Sequence, residues 1–176
     1  MLIFLYNLLW TCLTPIIPFW IYLRSLYGLE DRGRVLERYG LSNYKRPNKK
    51  LIWIHAASIG EAVSGLALVE GFKEINFEGT ILFTTGTISS YNQVKNYPEI
   101  IHQYHPLDKK VWVNRFLKHW KPNLAIIMES DIWPNLILCP SKMLIPVVLA
   151  SSQISLKSMS RWNKIGKRSA NLIFKN

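Results

Sequence analysis

The sequence predicts an α/β fold in which a parallel sheet carries helices on both faces, preceded by an N-terminal membrane helix. Two observations predict the sheet. From Lys50 onward, short apolar runs alternate with stretches of helical spacing, and the runs lack the apolar–polar alternation of a half-exposed strand. Such strand–helix alternation is typical of a parallel sheet covered on both sides. A third observation predicts the membrane helix, because residues 1–23 contain no charged side chain.

The N-terminal segment 1–23 is long enough to anchor the chain in a membrane. At about 1.5 Å per residue, a helix of this length reaches about 34 Å, against a hydrocarbon core of about 30 Å. Pro15 and Pro18 interrupt the hydrogen bonding of a straight helix, so we expect either a kinked span or a helix lying in the interface. A buried core helix is the third alternative. The segment lacks the basic start and the small-residue cleavage site of a signal peptide.

Residues 24–50 form a basic juxtamembrane segment with eight Lys and Arg side chains against three acidic ones. The positive-inside rule predicts that this flank stays in the cytoplasm, where it can bind an anionic membrane surface. A solvated linker is the alternative for residues 42–50. The net charge of +11 also favours anionic partners. We expect no nucleic acid among them, because aromatic side chains do not interleave with the basic ones as stacking platforms would.

Residues 51–176 are predicted to form one Rossmann-like domain. Asp108 is the expected N-cap of its clearest helix, and Val111, Phe116, Leu117 and Trp120 are expected on the buried side of that helix. The predicted strands are 51–55, 80–84, 100–104, 124–128 and 145–150. The predicted helices are 61–75, 89–96, 109–120 and 132–138, followed by a last helix at 156–170 and a strand-like stretch at 171–174.

Two carboxylates are predicted to approach each other at the carboxyl edge of this sheet. In the commonest doubly wound strand order, the first and fourth strands are neighbours and ligands bind beyond their carboxyl ends. Glu61 follows the first strand through the small loop AASIG, and Glu129 directly follows the fourth. We expect the helix dipole to favour the ionised form that a general base needs, and a second carboxylate nearby to make that base stronger.

Each of these acids also has a structural interpretation. From the spacing alone, Glu61 is equally well explained as an acid that only stabilises the start of its helix. Glu129 is alternatively an orienting group, and Asp131 is alternatively the N-cap of the next helix. The hydroxyls of TTGTISS (84–90) are candidates for binding sugar or phosphate oxygens, and helix capping explains them as well.

No metal site, disulfide framework or dinucleotide cofactor is predicted. The four histidines show no ligand spacing, and His55 is interpreted as structural. Cys12 and Cys139 lie in apolar runs and are expected as buried thiols. The loop AASIG lacks the G-x-G-x-x-G spacing of a dinucleotide site.

Six motifs, in this order along the chain, resemble the 3-deoxy-D-manno-octulosonic acid (Kdo) transferases of lipopolysaccharide synthesis. They are ERYG (37–40), HAASIGE (55–61), TTGT (84–87), YHPLD (104–108), RFLKHWKP (115–122) and MESDIWPN (128–135). The resemblance implies the N-terminal, acceptor-side half of a two-Rossmann-domain (GT-B) glycosyltransferase. Such enzymes transfer Kdo from CMP-Kdo to the lipid A precursor lipid IVA at the cytoplasmic face of the inner membrane, with inversion and without metal or cofactor.

The resemblance also implies roles for individual residues. Glu61 matches the general base of the family, and Glu129 matches a supporting acid. Asp131 stands where the family usually has a glutamate, which keeps the charge and shortens the side chain by one methylene. The candidate substrate-binding residues are Ser58, Gly60, Thr84, Thr85, Thr87 and Asp131.

Two departures from the family pattern bear on activity. Residues 151–155 read SSQIS where the family usually has Asn-x-Arg-x-Ser, which removes a bidentate anion donor. The chain also ends where a first Rossmann domain would end, so we expect the C-terminal donor domain to be absent. A separate chain that supplies it would give a split enzyme. The alternative is a truncated, catalytically inactive membrane-bound module that binds lipid A or a partner protein.

Overall fold

The computed structural model describes residues 2–128 and 133–150. Within them, five strands form one parallel sheet in the order β3-β2-β1-β4-β5. The strands are β1 (Leu51–Ala56), β2 (Thr80–Thr85), β3 (Ile100–Tyr104), β4 (Leu124–Ile127) and β5 (Val147–Leu149). The helices are α1 (Leu2–Leu13), α2 (Ile17–Leu26), α3 (Ile59–Glu74), α4 (Ile88–Val94), α5 (Lys110–Trp120) and α6 (Pro134–Lys142), with a 3-10 helix at Arg32–Tyr39.

The predicted α/β architecture is confirmed. All five predicted strands and the four helices between them are present, with ends shifted by a few residues. The chain winds outward from β1 through β2 to β3, then crosses back to place β4 on the other side of β1. This crossing makes β1 and β4 the switch point of the sheet, where ligands bind in folds of this kind.

The sheet is apolar on both faces, which explains why its strands read as continuous apolar runs. Trp53 of β1 packs with Phe116 and Trp120 of α5 on one face. Its neighbours Ile52 and Ile54 pack with α3 on the opposite face. Alternate residues of each strand therefore contribute to two separate cores, one under α5 and α6 and one under α3 and α4.

The start of α5 differs from the prediction in two ways. Lys109, not Asp108, occupies the N-cap position, and its side chain makes no capping bond. Val111 is 57% exposed, whereas Trp112 and Val113 are buried. The buried stripe of α5 runs through positions 112, 113, 116, 117 and 120, and Val111 lies about 100° past one edge of it.

The N-terminal segment forms two short helices rather than one. Helices α1 and α2 are bent by 67° at the break that contains Pro15. No single helix in the described ranges has the length and hydropathy of a membrane span, although this bent pair meets both criteria when taken together. Ile17 and Ile21 are buried against Trp112 of the domain. Cys139 is buried as expected, but Cys12 is exposed because it lies on the outer face of α1.

The basic segment between α2 and β1 folds onto the domain. Glu37 and Arg38 of the 3-10 helix are buried, and this helix contacts β3 and α5. Within the range predicted as a possible linker, Arg46 donates from Nε to the carbonyl oxygen of Trp120 at 2.8 Å. Lys45 and Lys49 of that range are exposed.

Some predicted features lie outside the described residues. They are Glu129, Asp131, the SSQIS stretch at 151–155, the helix at 156–170 and the strand-like stretch at 171–174.

Candidate active site

The candidate site lies at the carboxyl edge of the sheet, at the switch point between β1 and β4. His55 pairs with Ile127 across these two strands, and the Met128 amide donates to the His55 carbonyl at 2.8 Å. The chain therefore leaves β4 directly beside the end of β1. The loops that follow the two strands begin at the same edge, as the sequence predicts for the two acidic motifs.

Glu61 lies at this edge in the first turn of α3, where it forms a capping box. The Ser58 hydroxyl accepts from the Glu61 amide at 3.3 Å, which ties the N-cap residue to the helix. In return, Glu61 Oε2 accepts from the amides of Ala57 at 2.9 Å and Ser58 at 3.1 Å. Both bonds use the same carboxylate oxygen. Within the described part of the chain, Oε1 accepts no hydrogen bond, so one oxygen is fixed and the other is available to take a proton.

The candidate hydroxyls Thr84 and Thr85 lie beneath this edge rather than on it. Thr84 is fully buried, and its Oγ1 accepts from Trp53 Nε1 at 2.8 Å and lies 3.0 Å from His55 Nδ1. Thr85 is also buried, with its Oγ1 2.9 Å from His102 Nε2. Both hydroxyls therefore have partners inside the protein, and the substrate-binding role predicted for them stays a prediction.

Thr87 supports the loop that carries Glu61. It caps α4 by accepting from the Ser90 amide at 3.1 Å, and the Ser90 hydroxyl in turn donates to the Ala57 carbonyl at 3.2 Å. A Cβ on Gly86 would meet that same carbonyl oxygen at 2.7 Å. Only glycine allows the loop after β2 to approach the loop after β1 so closely, and this approach fixes the position of Ala57 beneath Glu61.

The structure places Ser58 and Gly60 on the exposed side of the same turn. Both residues are exposed, and a Cβ on Gly60 would contact nothing within 4 Å. Glu61, Ser58, Gly60 and Thr87 are therefore brought together at one edge, whereas Thr84 and Thr85 form the layer below. No group of three or more His, Cys, Asp or Glu side chains within residues 2–128 and 133–150 is arranged to hold a metal ion.

A buried ion-pair network that sequence reasoning missed joins the loops of this edge. Arg38 is 2% exposed and pairs with Glu30 at 2.9 Å. Its guanidinium also donates to the carbonyl of Gly86 at 2.6 Å and to that of His105 at 3.4 Å, so it bridges the loops after β2 and β3. Its interior position was not predictable from composition, because the eight basic side chains of residues 24–50 all suit a lipid-facing patch.

A second ion pair in the same segment contacts β3. Arg34 binds both oxygens of Glu37, at 2.8 and 3.0 Å, and Glu37 also accepts from the Tyr104 amide at 2.6 Å. Burial raises the pKa of Glu37 despite these donors. Arg34 and Arg38 thus form internal pairs, and the segment offers fewer free cations to a membrane than its composition indicates. The one sequence signal for this was ERYG, whose Glu37 and Arg38 both take part.

Comparison with known proteins gives consistent matches along the chain. A family model described as 3-deoxy-D-manno-octulosonic-acid transferase (kdotransferase) matches residues 33–176. A probable mitochondrial 3-deoxy-D-manno-octulosonic acid transferase of Arabidopsis thaliana is 42% identical over 161 residues, which cover 90% of this chain and 36% of that protein. The chain belongs to the Kdo transferase family.

Two bacterial relatives in this Kdo transferase family support the same assignment. The 3-deoxy-D-manno-octulosonic acid transferase of Rickettsia bellii is 38% identical, over 91% of this chain and 38% of the relative. That of Haemophilus influenzae is 36% identical, over 92% of this chain and 39% of the relative. The chain thus spans less than two fifths of the length of these Kdo transferases. The resemblance inferred from the six motifs is confirmed.

Proposed function

We propose that this chain supplies the acceptor-binding half and the general base of a Kdo transferase. The acceptor is the lipid A precursor lipid IVA, and the donor is CMP-Kdo. Glu61 takes the proton of an acceptor hydroxyl while that oxygen forms a bond to the anomeric carbon of Kdo. The bond from this carbon to the CMP phosphate oxygen breaks on the opposite side, so CMP leaves with the electron pair and the configuration inverts.

One observation carries this proposal. The Glu61 carboxylate is fixed at the switch point by two backbone amides that bind the same oxygen. A carboxylate held in one place by backbone donors can be positioned against an acceptor hydroxyl, as a general base must be. Glu129 is the proposed supporting acid, and Asp131 joins it in the segment that follows β4. The proposed reaction uses no metal and no cofactor, as the resemblance to Kdo transferases implies.

The proposed setting is the cytoplasmic face of the inner membrane. The bent apolar pair of α1 and α2 would lie against the bilayer. Arg32 donates to the Ser25 carbonyl of α2 and Lys109 donates to the Thr14 hydroxyl between the two helices, so both cations lie beside this pair and would face anionic lipid headgroups. The donor-binding half would correspond to the part of the relatives' length that this chain does not match.

A transfer assay with a matched pair of variants tests this function. Membranes with CMP-Kdo and lipid IVA would receive this chain alone, or together with a polypeptide that spans the remaining length of the relatives. Glu61→Gln keeps an oxygen for the Ala57 and Ser58 amides but cannot take a proton. We expect product only when both halves are present, and a loss of rate of about 10²–10⁴-fold for Glu61→Gln.

The outcomes separate the two candidate functions. A Glu61→Gln variant with the wild-type rate and wild-type thermal stability would exclude Glu61 as the base. Absence of product in both arrangements, with lipid IVA still bound, would favour a membrane-bound lipid-binding module. The exposed apolar helix pair is the observation that supports this second candidate.

A further inference from the structure

A cavity of about 360 Å³ lies between the N-terminal helix pair and the carboxyl edge of the sheet. We call it the helix-pair cavity. Trp10, Ile16 and Trp20 line its outer side. Leu107 and Trp133 are among the residues that line its inner side, where the chain enters α5 and α6. The volume lies in the range of about 300–1,000 Å³ that is usual for ligand pockets.

The lining of this cavity selects an apolar ligand. It is aromatic or aliphatic except for His105 and Asp108. Burial, with the nearby His55 and Arg38, lowers the pKa of His105 well below its usual range, so its ring is uncharged at neutral pH. The Asp108 carboxylate is buried and accepts from the Tyr6 hydroxyl and from two amides of α6. The walls therefore offer apolar surface for van der Waals contact, and their two polar side chains do not favour a charged ligand.

Cations lie beside two of the tryptophans around this cavity. The Arg24 guanidinium lies 4.8 Å from the ring centre of Trp20, and Lys109 Nζ lies 5.2 Å from that of Trp112. Trp112 in turn contacts Trp10 of the cavity wall edge-on, with ring centres 6.1 Å apart. Neither cation is among the described residues that line the cavity, and Arg24 also pairs with Glu30 at 2.9 Å, so recognition of a lipid chain there depends on the apolar walls rather than on these charges.

The two sides of the cavity belong to different functional surfaces. The outer side is the bent helix pair, whose opposite face exposes Phe4, Leu9 and Phe19. The inner side comes from the loop after β3 and from Trp133, the N-cap residue of α6, both at the edge that carries Glu61. A chain in this cavity would therefore run from the lipid side of the molecule toward the proposed reaction centre.

We propose that the helix-pair cavity binds one acyl chain of the lipid acceptor. The identity of the lipid rests on the proposed function, whereas the preference for an acyl chain rests on the cavity itself. The acceptor is favoured over bulk phospholipid because the inner wall is built from loops of the candidate active edge. Binding one chain there would place the headgroup at that edge.

Photolabelling of the full chain in vesicles tests this proposal without donor or turnover. Phosphatidylethanolamine–phosphatidylglycerol vesicles would carry, in one arm, lipid IVA with a diazirine in an acyl chain close to its headgroup end. In the other arm they would carry phosphatidylglycerol with the same group. Labelled peptides would be mapped by mass spectrometry and normalised to membrane-bound protein. We expect the lipid IVA arm to label Leu107 and Trp133, and the phosphatidylglycerol arm to label the outer face around Phe19.

Two exposed positions of similar environment provide a matched control. Ile16 lines the cavity and is 57% exposed, whereas Phe19 does not line it and is 62% exposed. Ile16→Asp places a charge at the apolar cavity and should lower labelling of Leu107 and Trp133 by about tenfold or more. Phe19→Asp should change that labelling less than about twofold. Leu107→Trp, which fills the cavity from the inner side, should reproduce the loss of labelling at Trp133.

Each outcome is decisive for the cavity. Equal labelling of Leu107 and Trp133 in both arms would overturn the assignment to the acceptor. Absence of label at these two residues, or equal losses for Ile16→Asp and Phe19→Asp, would overturn the cavity as an acyl site. A failed transfer assay with positive labelling would instead count against the proposed function alone.

Discussion

His102 illustrates how single side chains below the candidate site are kept in one protonation state. Arg34 donates to its Nδ1 at 3.0 Å, and because arginine has no acceptor, Nδ1 must be unprotonated. Its Nε2 therefore carries the hydrogen and donates to Thr85 Oγ1 at 2.9 Å. Burial and the charges of Arg34 and Arg38 lower the pKa of His102 from 6.5 to about 3.

This shift predicts an acid-sensitive contribution to stability. The unfolded chain binds a proton at His102 below pH 6.5, whereas the folded chain does so only near pH 3. The contribution is therefore complete above pH 6.5 and is lost as the pH falls, with a slope of up to about 1.4 kcal/mol per pH unit. His102→Gln, which does not titrate, should show a shallower loss in urea unfolding measured across this range. Parallel curves for the two proteins would contradict the prediction.

Glu61 shows that a capping role and a catalytic role need not exclude each other. The capping box is present, so Glu61 does stabilise the start of α3, and its role as a base stays a proposal. We predict that Glu61→Ala lowers the free energy of unfolding by about 0.5–2 kcal/mol, because two amides lose their acceptor. Glu61→Gln should change it by much less. Thermal unfolding of the two variants would measure this, and equal losses would mean that charge rather than capping stabilises α3.

At the scale of elements, Asp108 links three parts of the chain. It follows β3, yet its carboxylate accepts from the amides of Asn135 at 3.1 Å and Leu136 at 2.8 Å, in the first turn of α6. It also accepts from Tyr6 of α1 at 2.7 Å. Asp108 thus stabilises the start of a helix that begins 26 residues later, at Pro134, rather than the helix that follows it in sequence.

Removing this carboxylate should weaken α6 and leave α5 intact. Asp108→Ala is expected to cost about 1.5–3 kcal/mol, the usual range for a hydrogen bond to a charged group. Amide hydrogen exchange should become faster at Asn135 and Leu136. Faster exchange at residues 110–112 instead would restore the original prediction that Asp108 caps α5. Tyr6→Phe, which removes one of the donors, should have a smaller effect.

Two of the three glycines of helix α3, Gly65 and Gly71, lie in opposite environments. A Cβ on Gly65 would meet the buried Phe83 ring at 2.7 Å, whereas a Cβ on Gly71 would meet nothing within 4 Å. We predict that Gly71→Ala stabilises the protein by about 0.5–1 kcal/mol through helix propensity, and that Gly65→Ala destabilises it by about 1–2 kcal/mol through overpacking. Thermal unfolding of both variants checks this. A stabilised Gly65→Ala would mean that α3 does not pack closely on β2.

At the scale of the whole molecule, one face of the helix pair packs against the domain, and the other face exposes apolar side chains. Ile17 and Ile21 pack against Trp112, while Leu9 and Phe19 are exposed. We predict that Leu9→Asp combined with Phe19→Asp lowers binding to anionic vesicles by more than tenfold, since both apolar contacts are lost. Ile75→Asp, at a 71% exposed position at the far end of α3, is the matched control. Co-sedimentation measures both, and equal binding would exclude the pair as an anchor.

The sequence by itself determined the strands, the helices between them, the family and the edge that carries Glu61. These features depend on local patterns, because apolar runs and helical spacing can be recognised within about 5–15 residues and the start of a helix within one turn. The predicted strand order also required only the alternation of elements, since crossovers in parallel sheets follow few topologies.

Only the tertiary structure decided which polar groups are used internally and which remain at the surface. Buried Arg38 donates to a loop carbonyl at the sheet edge, and Asp108 accepts from an amide of the distant helix α6. Thr84 and Thr85 form hydrogen bonds with buried aromatic rings. Each outcome depends on residues 17 to 67 positions away in sequence, such as Arg38 and His105, and no local spacing specifies those partners. The sequence predicted a kink near Pro15. The buried face of the helix pair and the helix-pair cavity arise only because the pair packs against the domain.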